Sequence, residues 1–463
     1  MVRNKYRYGK TNVIADRIQR GIADMIRKCF QYVLTFFVII SLLMGMLVLS
    51  ARIPRALIRE NIKESAVYLC KGELFGTLVE GVNGSRIDRY ADSILLAIAY
   101  QYDSDKPLSS VMWSSYYYTE LCNENENLLS AVTNDYEANQ QYLRYWHGSN
   151  ALVRPLLTVF NLQQIYALNG IVLTLLTFLL LAVLLREKAY IPAVGVVLGF
   201  VLTSAWFVPF SLEYTWTYLL MLLLSVVGVR LVSQKRYQAV GLFFLISGMV
   251  TNYFDFLTTE TLTLTVPLLL MMWMRRRQRE QCKREECNTD DGKGCKEYLF
   301  AGKAACAWIV GYAGMWAMKW LIASVVLSEN VTPYVTQHIG ERLGGELGIG
   351  SFAYIFGSLW RNVKCLFPFE YGEIGTLAGI ALIVFAVYLG YVYHGKHVDK
   401  KHISLYVLIG LIPYFRFVIL HNHSYLHCFF TYRAQMATVL AIVMILERVT
   451  EGMLPACAKG RRL

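Results

Sequence analysis

The chain is 463 residues long, 56% hydrophobic and only 17% charged, with a mean hydropathy of +0.39. So little charge beside long apolar runs excludes an ordinary soluble domain. The formal charge of +12 calls for no nucleic-acid partner, because Lys and Arg gather on the cytoplasmic connections of membrane proteins.

Residues 1–29 set Val13, Ile14, Ile18, Ile22, Met25 and Ile26 among basic residues, a spacing that predicts an amphipathic helix lying on the inner membrane surface. The first apolar stretch, 30–51, has no small-residue cleavage site after it and reads as a retained anchor. A segment too long for a simple connection, 52–162, contains several helix-like runs. Further spans are expected at 163–185, 190–210, 213–233, 238–256 and 259–274. A charged, flexible loop at 275–297 then separates six spans from four more, at 298–327, 373–394, 403–420 and 428–448. A second large connection, 328–372, holds the Gly-rich run Gly344–Gly350 and an amphipathic run from Phe352 to Cys365, and a tail covers 449–463. The fold class is therefore an all-α multi-pass membrane protein of about ten spans, its module 30–274 followed by 298–448.

Charge sets the orientation. With the N-terminus cytoplasmic, the inner segments carry more than half of the 45 Lys and Arg residues, while the short connections at 211–212, 257–258 and 421–427 carry none. Both termini are expected inside, and segments 52–162 and 328–372 outside, facing substrate at the plasma membrane.

Asp88 and Asp92 stand four apart before a helix-like apolar run, which predicts two carboxylates on one helical face. Such a pair suits a divalent cation, Mg or Mn, or one carboxylate taking a proton while the other stays ionised. The bland alternative is an exposed helix whose acids neighbour Arg86 and Arg89. His147 and Arg154 precede the second span: the aromatics around them fit an interfacial belt, or a sugar and phosphate contact. Glu213 lies in the connection between spans three and four, and Asp255 and Glu260 bracket the next outer turn. Lys319, Arg416 and Arg433 fall at one outer depth, where cations need anionic partners: Asp255 is one choice, a lipid-linked phosphate another. His421, His423 and His427 adjoin them without metal spacing, and suit hydrogen-bonding roles. Cys282, Cys287 and Cys295 lack a fourth zinc ligand, so no metal residue is assigned. Cys70 and Cys122 would pair only in an oxidising compartment.

These runs carry a resemblance. A first span, a large acidic outer loop and many short-looped spans look like the GT-C superfamily of membrane glycosyltransferases. So do the runs Asp88-Arg89-Tyr90-Ala91-Asp92, Tyr145-Trp146-His147-Gly148, Ser211-Leu212-Glu213-Tyr214 and Thr431-Tyr432-Arg433, which resemble uncharacterised bacterial membrane proteins of this kind. The likeness implies an inverting transfer of sugar from a polyprenyl-phosphate donor to an extracytoplasmic glycan, lipid or protein acceptor among membrane lipids. It departs from the family in spacing, since the acids here are four apart rather than adjacent or nearly so. A polymerase of lipid-linked oligosaccharides is a chemical relative. A transporter or flippase is the competing class, disfavoured because polar residues collect at one face rather than at midplane on paired repeats.

Overall fold

The computed structural model of the chain describes residues 2–284, 295–334, 336, 351–366, scattered positions between 377 and 388, and 400–453, with side chains for most of them from Gln19 onward. Helices follow in the order α1 (Val2–Ala51), α2 (Arg55–Cys70), α3 (Arg89–Gln101), α4 (Pro107–Trp113), α5 (Glu124–Asn134), α6 (Asn150–Leu156), α7 (Leu162–Arg186), α8 (Tyr190–Leu202) and α9 (Leu212–Ser233). The second half contributes α10 (Val240–Phe254), α11 (Leu262–Arg284), α12 (Cys295–Leu327), α13 (Ser351–Cys365), α14 (Lys400–Ile419), α15 (His421–Leu426), α16 (Cys428–Thr431) and α17 (Met436–Met453). No strand occurs among the described residues; only the isolated bridges Thr77 to Arg86 and Tyr116 to Gln140 do.

Six helical runs are long and apolar enough to cross a membrane: Gln19–Ala51, Leu162–Arg186, Leu212–Ser233, Lys296–Leu327, Lys400–Ile419 and Cys428–Thr450. The chain is a membrane-embedded, all-helical protein. Three of the ten expected stretches differ. Within 190–210 the helix stops at Leu202, and left-handed Ser204 (φ 49°) turns the chain into the 3-10 turn Ala205–Phe210. The 238–256 stretch becomes a helix of 15 residues, about 22 Å at 1.5 Å per residue. The 259–274 stretch is buried throughout and runs on into the basic residues of α11. Most of 373–394 lies outside the described residues, as do Gly344–Gly350 and much of the tail.

Two further expectations are corrected. The amphipathic start does not lie apart from the first span: α1 is one unbroken helix of 50 residues, because no proline interrupts it before Pro54. Nor is 275–297 a loop throughout. Residues 275–284 continue α11, and Arg275 meets Glu297 at 3.3 Å while Arg276 meets Glu447 at 3.1 Å, both pairs nearly buried. These ion pairs tie α11, α12 and α17 together at the basic end of the bundle; residues 285–294 lie outside the description.

Segment 52–162 forms a helical cap at the opposite end. Its hydrophobic side chains share one core with the near ends of α1, α9, α10 and α12, while a second core fills the rest of the bundle. Capping residues set where the helices begin: Asn123 with Glu126 and Asn161 with Gln164 form reciprocal boxes at α5 and α7. α10 and α12 touch backbone to backbone. A Cβ on Gly248 would lie 2.1 Å from the Trp308 carbonyl oxygen, and one on Gly311 would lie 2.2 Å from that of Leu245, so small residues let these helices close.

Candidate functional site

The site begins where the cap meets the bundle. Asp88 caps α3, its Oδ1 accepting the Ala91 N–H at 2.8 Å. The helix behind it carries Ile94, Leu95, Leu96 and Ile98 into the cap core. That packing pulls both acids inward: Asp88 is 3% exposed and Asp92 fully buried, so the exposed-helix alternative does not hold.

The two acids have different partners. Asp92 accepts the hydroxyl of Tyr166 on Oδ2, and on Oδ1 the hydroxyl of Ser211 at 3.2 Å and the Leu212 N–H at 2.9 Å. It thereby binds α3 to α7 and to the N-terminal turn of α9, where an acid is favoured. Burial pushes Asp92 up to about 7, with the Tyr166 bond pulling the other way. Asp88 instead neighbours Glu213, also in the first turn of α9, which helps hold its carboxyl down. Two neighbouring carboxyl groups can hydrogen-bond only with a proton between them. Burial raises Asp88 as well, to about 7, against the pull of the Ala91 N–H and of Glu213. Neighbouring carboxyl groups, one of them raised towards neutrality by burial, can share a proton, an arrangement suited to accepting and returning one.

Arg433 joins this pair from the far end of the sequence. It is 1% exposed, and donates to the Gly84 carbonyl at 2.7 Å and the Phe429 carbonyl at 3.3 Å. Its guanidinium stands 5.1 Å from the centre of the Tyr214 ring, and Tyr214 lies within electrostatic reach of Asp88, Glu213 and Arg433 alike. Among the described residues no carboxylate lies within ion-pair distance of Arg433. The close approach at Gly84 demands glycine, since a Cβ there would lie 2.5 Å from the Tyr432 hydroxyl oxygen. His423 and His427 lie 4.8 Å apart with their rings tilted, and reach Tyr214 through Phe430, 5.1 Å from its ring. Arg86 and Arg361 flank Cys428 beside this group. Sequence reading passed over Arg361; its signal was a cation on the amphipathic run that became α13.

The remaining candidates do not join this site, and each has its own structural work. Arg416 pairs with Glu260 at 2.9 Å, not with Asp255 or a lipid phosphate, and also donates to Ser424 Oγ at 3.0 Å and to the Leu257 carbonyl. Asp255 accepts the N–H groups of Leu257 and Thr258 and the Thr258 hydroxyl, holding the turn in which Leu257 adopts a φ of 64°. Lys319 is buried without an anionic partner among its hydrogen bonds: it donates to the Val111 and Met112 carbonyls at 3.1 and 3.0 Å, the unpaired end of α4. Arg154 does the same for α3 and α1, donating to Ala99, Tyr102 and Ile53 carbonyls. Cations satisfy helix C-termini because carbonyl oxygens there lack intrahelical donors. His147 is 2% exposed, with Nε2 at 3.0 Å from the Tyr142 carbonyl. Burial, reinforced by the charge of Lys319, pushes it down to about 3, so it is a neutral side chain inside the cap. His421 is half-buried at the rim, its Nδ1 at 3.2 Å from the Val418 carbonyl.

Among the described residues no group of three or more His, Cys, Asp or Glu is placed to hold a metal ion. Asp88 and Glu213 are two of the oxygen donors a divalent cation takes. Cys70 and Cys122 are free thiols. No family model, curated protein or solved structure matches the chain.

Proposed function

We propose that this protein is a multi-pass membrane glycosyltransferase of the GT-C kind, moving a sugar from a polyprenyl-phosphate donor to an extracytoplasmic glycan, lipid or protein. The observation that carries the reading is the grouping of buried Asp88, half-buried Glu213 and Arg433 around Tyr214, with Arg433 meeting Gly84 across 349 residues of sequence. Two neighbouring acids able to share a proton, with an arginine held by backbone carbonyls near them, have the parts for displacement at an anomeric carbon by an acceptor hydroxyl.

In this reading the cap faces outward, both termini are cytoplasmic, and the membrane is the plasma membrane. The shorter helices α8, α10 and α11 add three crossings to the six long ones, and the stretch 373–394, most of which lies outside the described residues, supplies the tenth. Asp88, with the proton of the pair held on Glu213, takes the hydrogen of the acceptor hydroxyl. The freed oxygen bonds to the anomeric carbon from the face opposite the leaving group, and the bond to the lipid phosphate breaks with inversion. Arg433 stabilises charge growing on that phosphate, and Arg86 and Arg361 extend the basic surface along the donor. Asp92 acts as a positioning residue, fixing α3 against α9.

The test compares lipid extracts and surface glycans of cells with and without the gene, and with Asp88→Asn, by mass spectrometry. A polyprenyl-phosphate sugar accumulating in both altered strains supports the transferase. Unchanged lipids and glycans in both overturn it.

A further inference from the structure

Two buried thiols remain outside that chemistry. Cys365 ends α13 and Cys428 begins α16; each is 4% exposed, and they share a small cluster with Tyr432. Within that cluster the Cys428 and Cys365 side chains are neighbours, and Arg361 and Arg86 stand near Cys428. The amide of Asn83 donates to Cys365 Sγ at 3.1 Å. Guanidinium groups against a thiol are the surroundings in which cysteines become nucleophilic. The neighbouring joint is held by Asn362, whose amide donates to the Ser424 carbonyl at 2.8 Å and whose Oδ1 accepts Thr431 Oγ at 2.6 Å. The thiols therefore sit at a fixed contact between α13 and the α15–α16 corner rather than at a chance encounter.

We propose that Cys365 and Cys428 close into a disulfide that staples α13 to the corner carrying Arg433. The Cys428 thiolate attacks one sulfur of a disulfide-class oxidant and displaces a thiolate, giving a mixed disulfide. Cys365, losing its proton, attacks the Cys428 sulfur and displaces the second thiolate. The protein's two thiols give up two electrons and two protons; the oxidant's disulfide becomes two thiols. The inference rests on the outward orientation proposed above only because that side supplies the oxidant.

The test uses the full-length protein taken from membranes and denatured in the presence of N-ethylmaleimide, so that buried thiols are trapped as they stand, then digested and analysed by mass spectrometry. The expected result is a linked Cys365–Cys428 peptide in most molecules, with exposed Cys70 carrying the label as an internal control. Cys365→Ser should render Cys428 alkylatable, and Cys428→Ser should do the same for Cys365. Recovery of both thiols as maleimide adducts in the wild-type protein overturns the proposal. Labelling of Cys70 in intact cells by a membrane-impermeant maleimide checks the orientation separately, so a reduced pair on a correctly oriented chain is a failure of the disulfide alone.

Discussion

Two acidic turns at the capped end of the bundle use the same residue types to opposite ends. In the turn after α10, Glu260 meets Arg416 in a buried ion pair and Asp255 is filled by its own turn's N–H and hydroxyl groups. At the start of α3, Asp88 neighbours Glu213, while Arg433, held by backbone carbonyls, lies with them around Tyr214. The first turn pairs its cation with an acid; the second leaves its cation to backbone carbonyls. Burial alone does not mark a working site. What distinguishes the group at α3 is that its acids and its cation are held by other groups rather than by each other.

Substitutions that remove one charge without altering shape probe this contrast directly. Asp88→Asn keeps an N-cap as good as aspartate, so the protein should insert and melt normally while transfer in proteoliposomes falls about 10²–10⁴-fold, the usual worth of a general base. Asp255→Asn should leave the rate per folded molecule unchanged, and an equal fall in both would erase the distinction between the turns. Arg416→Met should cost about 3–5 kcal/mol by stranding Glu260, read as lost thermal stability, and Glu260→Gln in the same chain should restore much of it.

Two pH measurements sharpen the same comparison. If Asp88 must give up its proton to act, the acid limb of kcat/KM lies near its raised value of about 7, and Glu213→Ala should move that limb up by removing a group that holds Asp88 down. Stability follows the opposite slope. Asp88 and Asp92, both raised by burial from 3.8, bind more protons folded than unfolded. Their contribution is full below about 4 and lost as pH climbs towards 7. The melting temperature of Asp92→Asn should accordingly vary less over that window than that of the wild type.

Much of this was legible in the sequence at the level of elements. The helical class, the helix-rich cap and the gathering of Asp88, Glu213 and Arg433 at one end followed from apolar runs and charge placement. The partners did not. Nothing in a linear string says that Arg154 and Lys319 will meet helix-end carbonyls rather than an anion, because those carbonyls belong to every residue and carry no letter of their own. The same holds for Asp92, whose three donors come from α7 and the α9 start. Helix lengths misled where burial lets a short apolar run stand in for a long one, as in α10.

The glycine contact between α10 and α12 has a mechanical consequence. Gly248 and Gly311 lock the two backbones together, and Trp146 and Lys319 fasten α12 to the cap through the Met315, Val111 and Met112 carbonyls. Cap, α10 and α12 thus form one stiff frame with no seam along which to slide. The joint between α13 and the α15–α16 corner, held by the side-chain hydrogen bonds of Asn362, lies outside that frame.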